Sequence, residues 1–114
     1  MTANTIQQPQ QMPAWLAAHA HNPEQILTFC CRRGILPEVK TAIDIAKSTF
    51  PGLLDLDIYA VQDPEMDEES LEINIRLHEE PDRFLELCDR CLGQWVSSIS
   101  SEALTHFHLS YDLS

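Results

Sequence analysis

Apolar and polar residues alternate strictly along two runs in the middle of the chain. Leu54, Leu56, Ile58 and Ala60 alternate with Asp55, Asp57 and Tyr59, and further on Leu71, Ile73, Ile75 and Leu77 alternate with Glu72, Asn74 and Arg76. A period of two sends successive side chains to opposite faces of a strand. The stretch Leu53 to Leu77 therefore predicts a β-hairpin with one buried and one wet face, its turn opened by Asp63-Pro64. A third run closes the chain, with Phe107, Leu109, Tyr111 and Leu113 on one face and His106, His108, Ser110 and Asp112 on the other.

Around these runs the spacing turns helical. Pro13 suits a first helical position, and Met12 to Ala20 predicts a short helix with Trp15 as the clamp that docks it. Asn22-Pro23-Glu24-Gln25 predicts a helix start, with Asn22 as N-cap and Gln25 in the place of a capping-box partner. Arg32 and Arg33 complement the far end of that helix and Gly34 ends it. A second helix begins at Pro37, buries Val39, Ala42, Ile43 and Ala46, and is broken by Pro51-Gly52. The longest helix runs from Glu79-Glu80-Pro81 to about Ile99. Phe84, Cys88, Cys91, Trp95 and Ile99 fall on one face, which Leu87, Leu92 and Val96 widen; Gly93 weakens the helix or permits close packing there.

The order helix, helix, strand, strand, helix, strand predicts an α+β fold: a two-layer sandwich with a three-stranded, mostly antiparallel sheet and helices on one face. The preferred strand order is 2-1-3; the alternative puts the last strand beside the second, parallel to it, in a right-handed crossover. Either order leaves two sheet edges and one wet face, an invitation to dimerisation or strand addition. Residues 1–11, polar and Gln-rich, are expected to be a disordered tail, and 12–114 a single domain.

Composition narrows the function. With 114 residues, 44% hydrophobic and 22% charged, the chain can bury one core. Its 18 acids against 7 bases give a formal net charge of -11, which disfavours phosphate backbones and anionic lipid and favours a basic partner. The N-terminus lacks the basic and apolar regions of a signal peptide, and no run is long enough to span a bilayer, so a cytoplasmic protein with reduced thiols is expected.

Three constellations carry candidate chemistry. Cys88-Asp89-Arg90-Cys91 is a C-x-x-C, but it lies inside an amphipathic helix, away from the helix start that activates a redox thiol, and Cys30-Cys31 point too far apart to complete a zinc site with it. Buried structural thiols are the expectation, with no metal and no cofactor. On the wet sheet face, His106 and His108 with Asp55 and Asp57 could present imidazoles and carboxylates to a metal or serve as an acid–base pair; a solvated face with cross-strand pairs is the plainer reading. The acidic turn, with Asp63, Glu65, Asp67, Glu68 and Glu69, lacks the spacing of a calcium loop and reads as a solvated turn or a docking element for a basic surface. There is no phosphate-binding glycine loop, no G-x-S-x-G elbow and no basic footprint for nucleic acid, so no catalytic residue is assigned.

From Gly34 onward the chain resembles a family of small uncharacterised bacterial α+β proteins. The resemblance rests on Gly34-Ile35-Leu36, Ala42-Ile43-Asp44-Ile45-Ala46-Lys47 before Phe50-Pro51, Asp63-Pro64-Glu65 and Ile75-Arg76. It covers about two thirds of the chain and brings no activity, cofactor or site residue. What it implies is a companion role beside other small proteins. The expectation is a non-enzymatic interaction module whose partner is another protein or a second copy, such as a neutralising or accessory partner of a basic protein. The rivals are a metal-binding protein or metal-dependent enzyme using the polar sheet face, and a homodimer that holds a small ligand between subunits, with Tyr59 or His108 lining the cleft.

Overall fold

The computed structural model describes residues 12–63, 65 and 68–113. The expected tail 1–11 and Asp67 of the acidic turn lie outside the described residues. Among the described residues eight elements follow in order: α1 (Ala14–His19), α2 (Pro23–Arg33), α3 (Leu36–Thr49), β1 (Leu53–Asp63), β2 (Glu68–Leu77), α4 (Pro81–Ser98), the single turn α5 (Ser101–Leu104) and β3 (Phe107–Leu113). Prolines stand in the first turns of α2, α3 and α4, where a missing N–H costs nothing. Gly34 closes α2 in the left-handed region, φ 70°. Ser100 caps α5 by accepting from the Ala103 N–H.

The fold is α+β, as the pattern predicts, with a mixed three-stranded sheet in the order β1-β2-β3. β1 and β2 form the antiparallel hairpin, and β3 lies parallel to β2, with Leu71 opposite Phe107 and Leu77 opposite Leu113. The preferred order 2-1-3 is therefore wrong. The outer side of β1 is already occupied: His21 N–H donates to Ile58 O, and Ala20 bridges Ile58 in parallel. With that side taken, the open side of β2 receives β3.

One continuous core lies between the sheet and the helices. Leu56 and Ile58 of β1 and Leu71, Ile73, Ile75 and Leu77 of β2 are buried against Leu16, Ile26, Phe29, Cys30, Val39, Ile43, Leu87, Cys91 and Trp95. The Trp95 indole N–H donates to Ala42 O at 3.2 Å, which locks α4 to α3 while satisfying the one polar atom of a buried ring. Leu16, fully buried, is the anchor of α1; Trp15, expected as its clamp, is only partly covered.

Several apolar positions depart from the pattern. Leu54, expected inside, is 54% exposed, because the β1–β2 register shifts between Leu53 and Asp55 and turns it outward. Leu92 and Val96, expected to widen the buried face of α4, are 52% and 63% exposed, and Leu113 at the end of β3 is 45% exposed. Gly93 faces open space rather than a close neighbour. A Cβ at Gly52, by contrast, would meet His78 O at 2.1 Å, so the turn into β1 requires glycine for close approach.

Candidate functional site

The cysteines can be assigned first, because burial decides their chemistry. All four are free. Burial, with Cys31 adding to it, pushes the Cys30 thiol up to about 12, and burial with Cys88 beside it pushes Cys91 up to about 11. Cys88 is raised as well, by burial, although its hydrogen bond with Tyr111 opposes this. A nucleophile or metal ligand needs the thiolate; these groups hold their protons at neutral pH and act as small apolar side chains. Cys31 alone is exposed.

The wet sheet face is organised by register. Crossing from β1 to β3, the rows are Asp55–Arg76–Asp112, Asp57–Asn74–Ser110 and Tyr59–Glu72–His108. Asn74 donates to the Ser110 hydroxyl at 2.9 Å, and that hydroxyl donates to Glu72 at 3.4 Å, which ties β2 to β3 through side chains. Asp55 accepts from the N–H of Leu56, next in the chain. Asp57 accepts from His21 Nε2 at 2.9 Å, and the His21 ring stacks on Tyr59 at 4.4 Å. Tyr59, Gln62, Glu72, Asn74 and Asp112 border a shallow depression of about 650 Å³ that is open to solvent.

His106 and His108, expected to share this face, are not brought together. His108 is exposed and stands opposite Glu72. His106 precedes β3, is partly buried, and meets Phe29 of α2 edge-on at 5.7 Å, because the turn before the strand rotates it toward the helix layer. Among the described residues, no group of three His, Cys, Asp or Glu side chains converges as a metal would require.

The acidic turn is partly accounted for. Asp63 and Glu68 pair as the last rung of the hairpin, and Glu65 is exposed in the turn between them. Glu69 is ion-paired with Arg32 of α2, so this carboxylate already has an internal partner. Asp67, and the side chains of Asp63 and Glu68, lie outside the described residues.

The two sheet edges, expected to be equally open, differ. Beside β1, His19 Nδ1–H donates to Leu56 O at 3.0 Å, His21 N–H donates to Ile58 O at 3.0 Å, and the Asn22 side-chain oxygen accepts from Ala60 N–H at 3.2 Å. Asn22 donates in turn to Gln25 Oε1 at 3.0 Å. The expected capping box is thus absent, since Asn22 spends its side chain on fastening α2 to the strand. Local spacing cannot reveal this clasp, because its bonds join residues 37 or 38 apart. Beside β3, no described element pairs with the outer side of Phe107–Leu113.

Negative charge is densest on the hairpin: residues 53–77 carry eight acids and one base, residues 12–50 three acids and four bases, and residues 78–114 seven acids and two bases. No helix of the described residues is long and apolar enough to cross a membrane. No family model, no curated protein and no solved structure matches this chain.

Proposed function

We propose that this chain is a non-enzymatic, cytoplasmic protein–protein interaction module whose acidic hairpin and polar sheet face dock on a basic protein, as a neutralising or accessory partner would. The observation that carries this reading is the concentration of charge: eight acids against one base on the hairpin, where residues 12–50 carry three acids and four bases. A field of one sign steers an oppositely charged partner and rejects like-charged ones. The chemistry of the described residues supports the same reading. The buried Cys30 and Cys91 thiols are held protonated, His106 and His108 point apart, and the depression on the sheet face is too open to enclose a reacting small molecule.

The test is capture of the bound protein from the source cell lysate, with the complex mass determined under native conditions. One stoichiometric basic partner is expected, released by salt, and lost when Asp57, Glu72 and Asp112 are changed together to Lys. Recovery of the chain without a partner, or binding unchanged by the triple charge reversal, would overturn the reading.

A further inference from the structure

We infer that the bare edge of β3 is the twofold interface of a homodimer, joining two sheets into one of six strands in the order β1-β2-β3-β3-β2-β1. This inference does not depend on the basic-partner reading, because the acidic face stays open in such a dimer. It begins with the ladder. Leu71 N–H donates to His106 O at 2.8 Å, so the inward-pointing backbone groups of β3 belong to the even-numbered residues. The N–H and C=O groups of Phe107, Leu109, Tyr111 and Leu113 therefore point outward, with no partner among the described residues.

An antiparallel partner strand must match odd residues with odd ones to use these groups. The strand spans Phe107–Leu113, so the register that pairs its full length is centred on Ser110. In that register Leu109 meets the partner's Tyr111, Phe107 meets the partner's Leu113, and His108 meets the partner's Asp112. Apolar residues lie against apolar ones, and an imidazole lies against a carboxylate, twice by symmetry. The sequence of β3 is self-complementary about Ser110, as an isologous interface demands.

A strand edge alone is a small interface, and α4 supplies the apolar remainder. Cys88, at the border of the buried face of α4, reaches Tyr111 of β3. At 100° per residue, Leu85, Leu92 and Val96 project about 40–80° beyond Cys88, on the side of α4 that follows the contact with β3. They are 63%, 52% and 63% exposed. Trp95 lies over Phe107 and Phe84 over Tyr111, so α4 runs antiparallel to β3 along its length. Pairing the strands brings the two α4 stripes alongside each other and covers Leu113 as well. Apolar periodicity assigns Leu92, Val96 and Leu113 to a buried face, and the single chain leaves them wet; the second copy is what covers them. Most of the excess negative charge lies elsewhere, on the hairpin.

The test uses the full chain. Sedimentation should show a species of twice 13.0 kDa at protomer concentrations on the order of 100 μM. His108→Asp, which sets two carboxylates opposite each other twice, should weaken the dimer roughly tenfold, and adding Asp112→Lys should restore it. Leu92→Asp with Val96→Asp should weaken it by about a hundredfold without lowering the helix signal in circular dichroism, since both residues are exposed in the single chain. In a Cys31→Ser background, Ser110→Cys should cross-link to a covalent dimer under mild oxidation, because the two central residues of this register stand about 4.5 Å apart. A strictly monomeric profile would overturn the inference and leave the edge to a strand from a different protein. A dimer that ignores His108→Asp and fails to cross-link through Ser110→Cys would overturn it equally.

Discussion

Along β1, Leu56 O, Ile58 O and Ala60 N–H on the outer side are bonded to His19, His21 and Asn22, whereas along β3 the outer groups of a seven-residue strand have no partner among the described residues. An unpaired edge is a template for another strand, and proteins that must stay apart cover or charge it. This chain covers one edge with a clasp of three residues and leaves the other bare beside the exposed apolar stripe of α4. The asymmetry teaches that the two edges do different work: the first is closed so that the second is the one available for pairing.

The contrast can be broken from the closed side. Leu16 is fully buried and anchors α1, which delivers the clasp to β1. Leu16→Ala should cost about 2–5 kcal/mol in denaturant unfolding and release the clasp, giving the β1 edge the exposure of the β3 edge and adding association beyond the dimer. If stability falls while the Ile58 and Ala60 regions keep their protection, α1 does not hold the clasp.

A second test addresses the helix layer behind both edges. The Cys30 and Cys91 thiols are raised from 9.0 to about 12 and about 11 by burial. The unfolded chain releases these protons first as pH rises, so this stabilisation is complete below pH 9.0 and is lost progressively toward about 11 and 12. The unfolding free energy from denaturant titrations should be flat up to about pH 8.5 and then fall, by up to about 1.4 kcal/mol per pH unit for each thiol. Replacing both cysteines with Ala should reduce that slope and leave the part that comes from Cys88 and Tyr111, which burial also raises; an unchanged slope would assign all of it to other groups.

Asn22→Ala should have a smaller and more local effect. It removes the acceptor for Ala60 N–H and the donor to Gln25, at a cost of about 1–2 kcal/mol. Hydrogen exchange at the Ala60 amide should accelerate while β3 amides keep their rates. Gly93→Ala should have the smallest effect and the opposite sign. An added Cβ meets nothing within 4 Å, so a thermal melt should show a gain of up to about 1 kcal/mol from helix propensity.

The hairpin, the helices and the fold class were legible because period-two and period-3.6 patterns are local and the helix ends carry Pro and Gly signals. The order of the strands was not. β3 shows the same alternation whether it pairs with β1 or β2, and what decides the matter is His21 bonding to Ile58, a contact between distant residues with no periodic trace. The candidate site was legible only in outline. Asp55, Asp57 and His108 do lie on the polar face, but His106 turns to Phe29 because it sits in the turn before the strand begins. Leu92, Val96 and Leu113 mark a further limit, since apolar spacing says that a residue is to be covered and not by which chain.

The most direct measurement follows amide hydrogen exchange at Leu109 and Tyr111 as protein concentration is varied, with Ala60 as the internal reference. A dimer joined through β3 protects Leu109 and Tyr111 at high concentration and frees them to exchange on dilution, while Ala60, held by Asn22 within its own chain, stays protected throughout. Fast exchange at Leu109 and Tyr111 at every concentration would contradict it, because the edge of β3 would then be bare in solution as well.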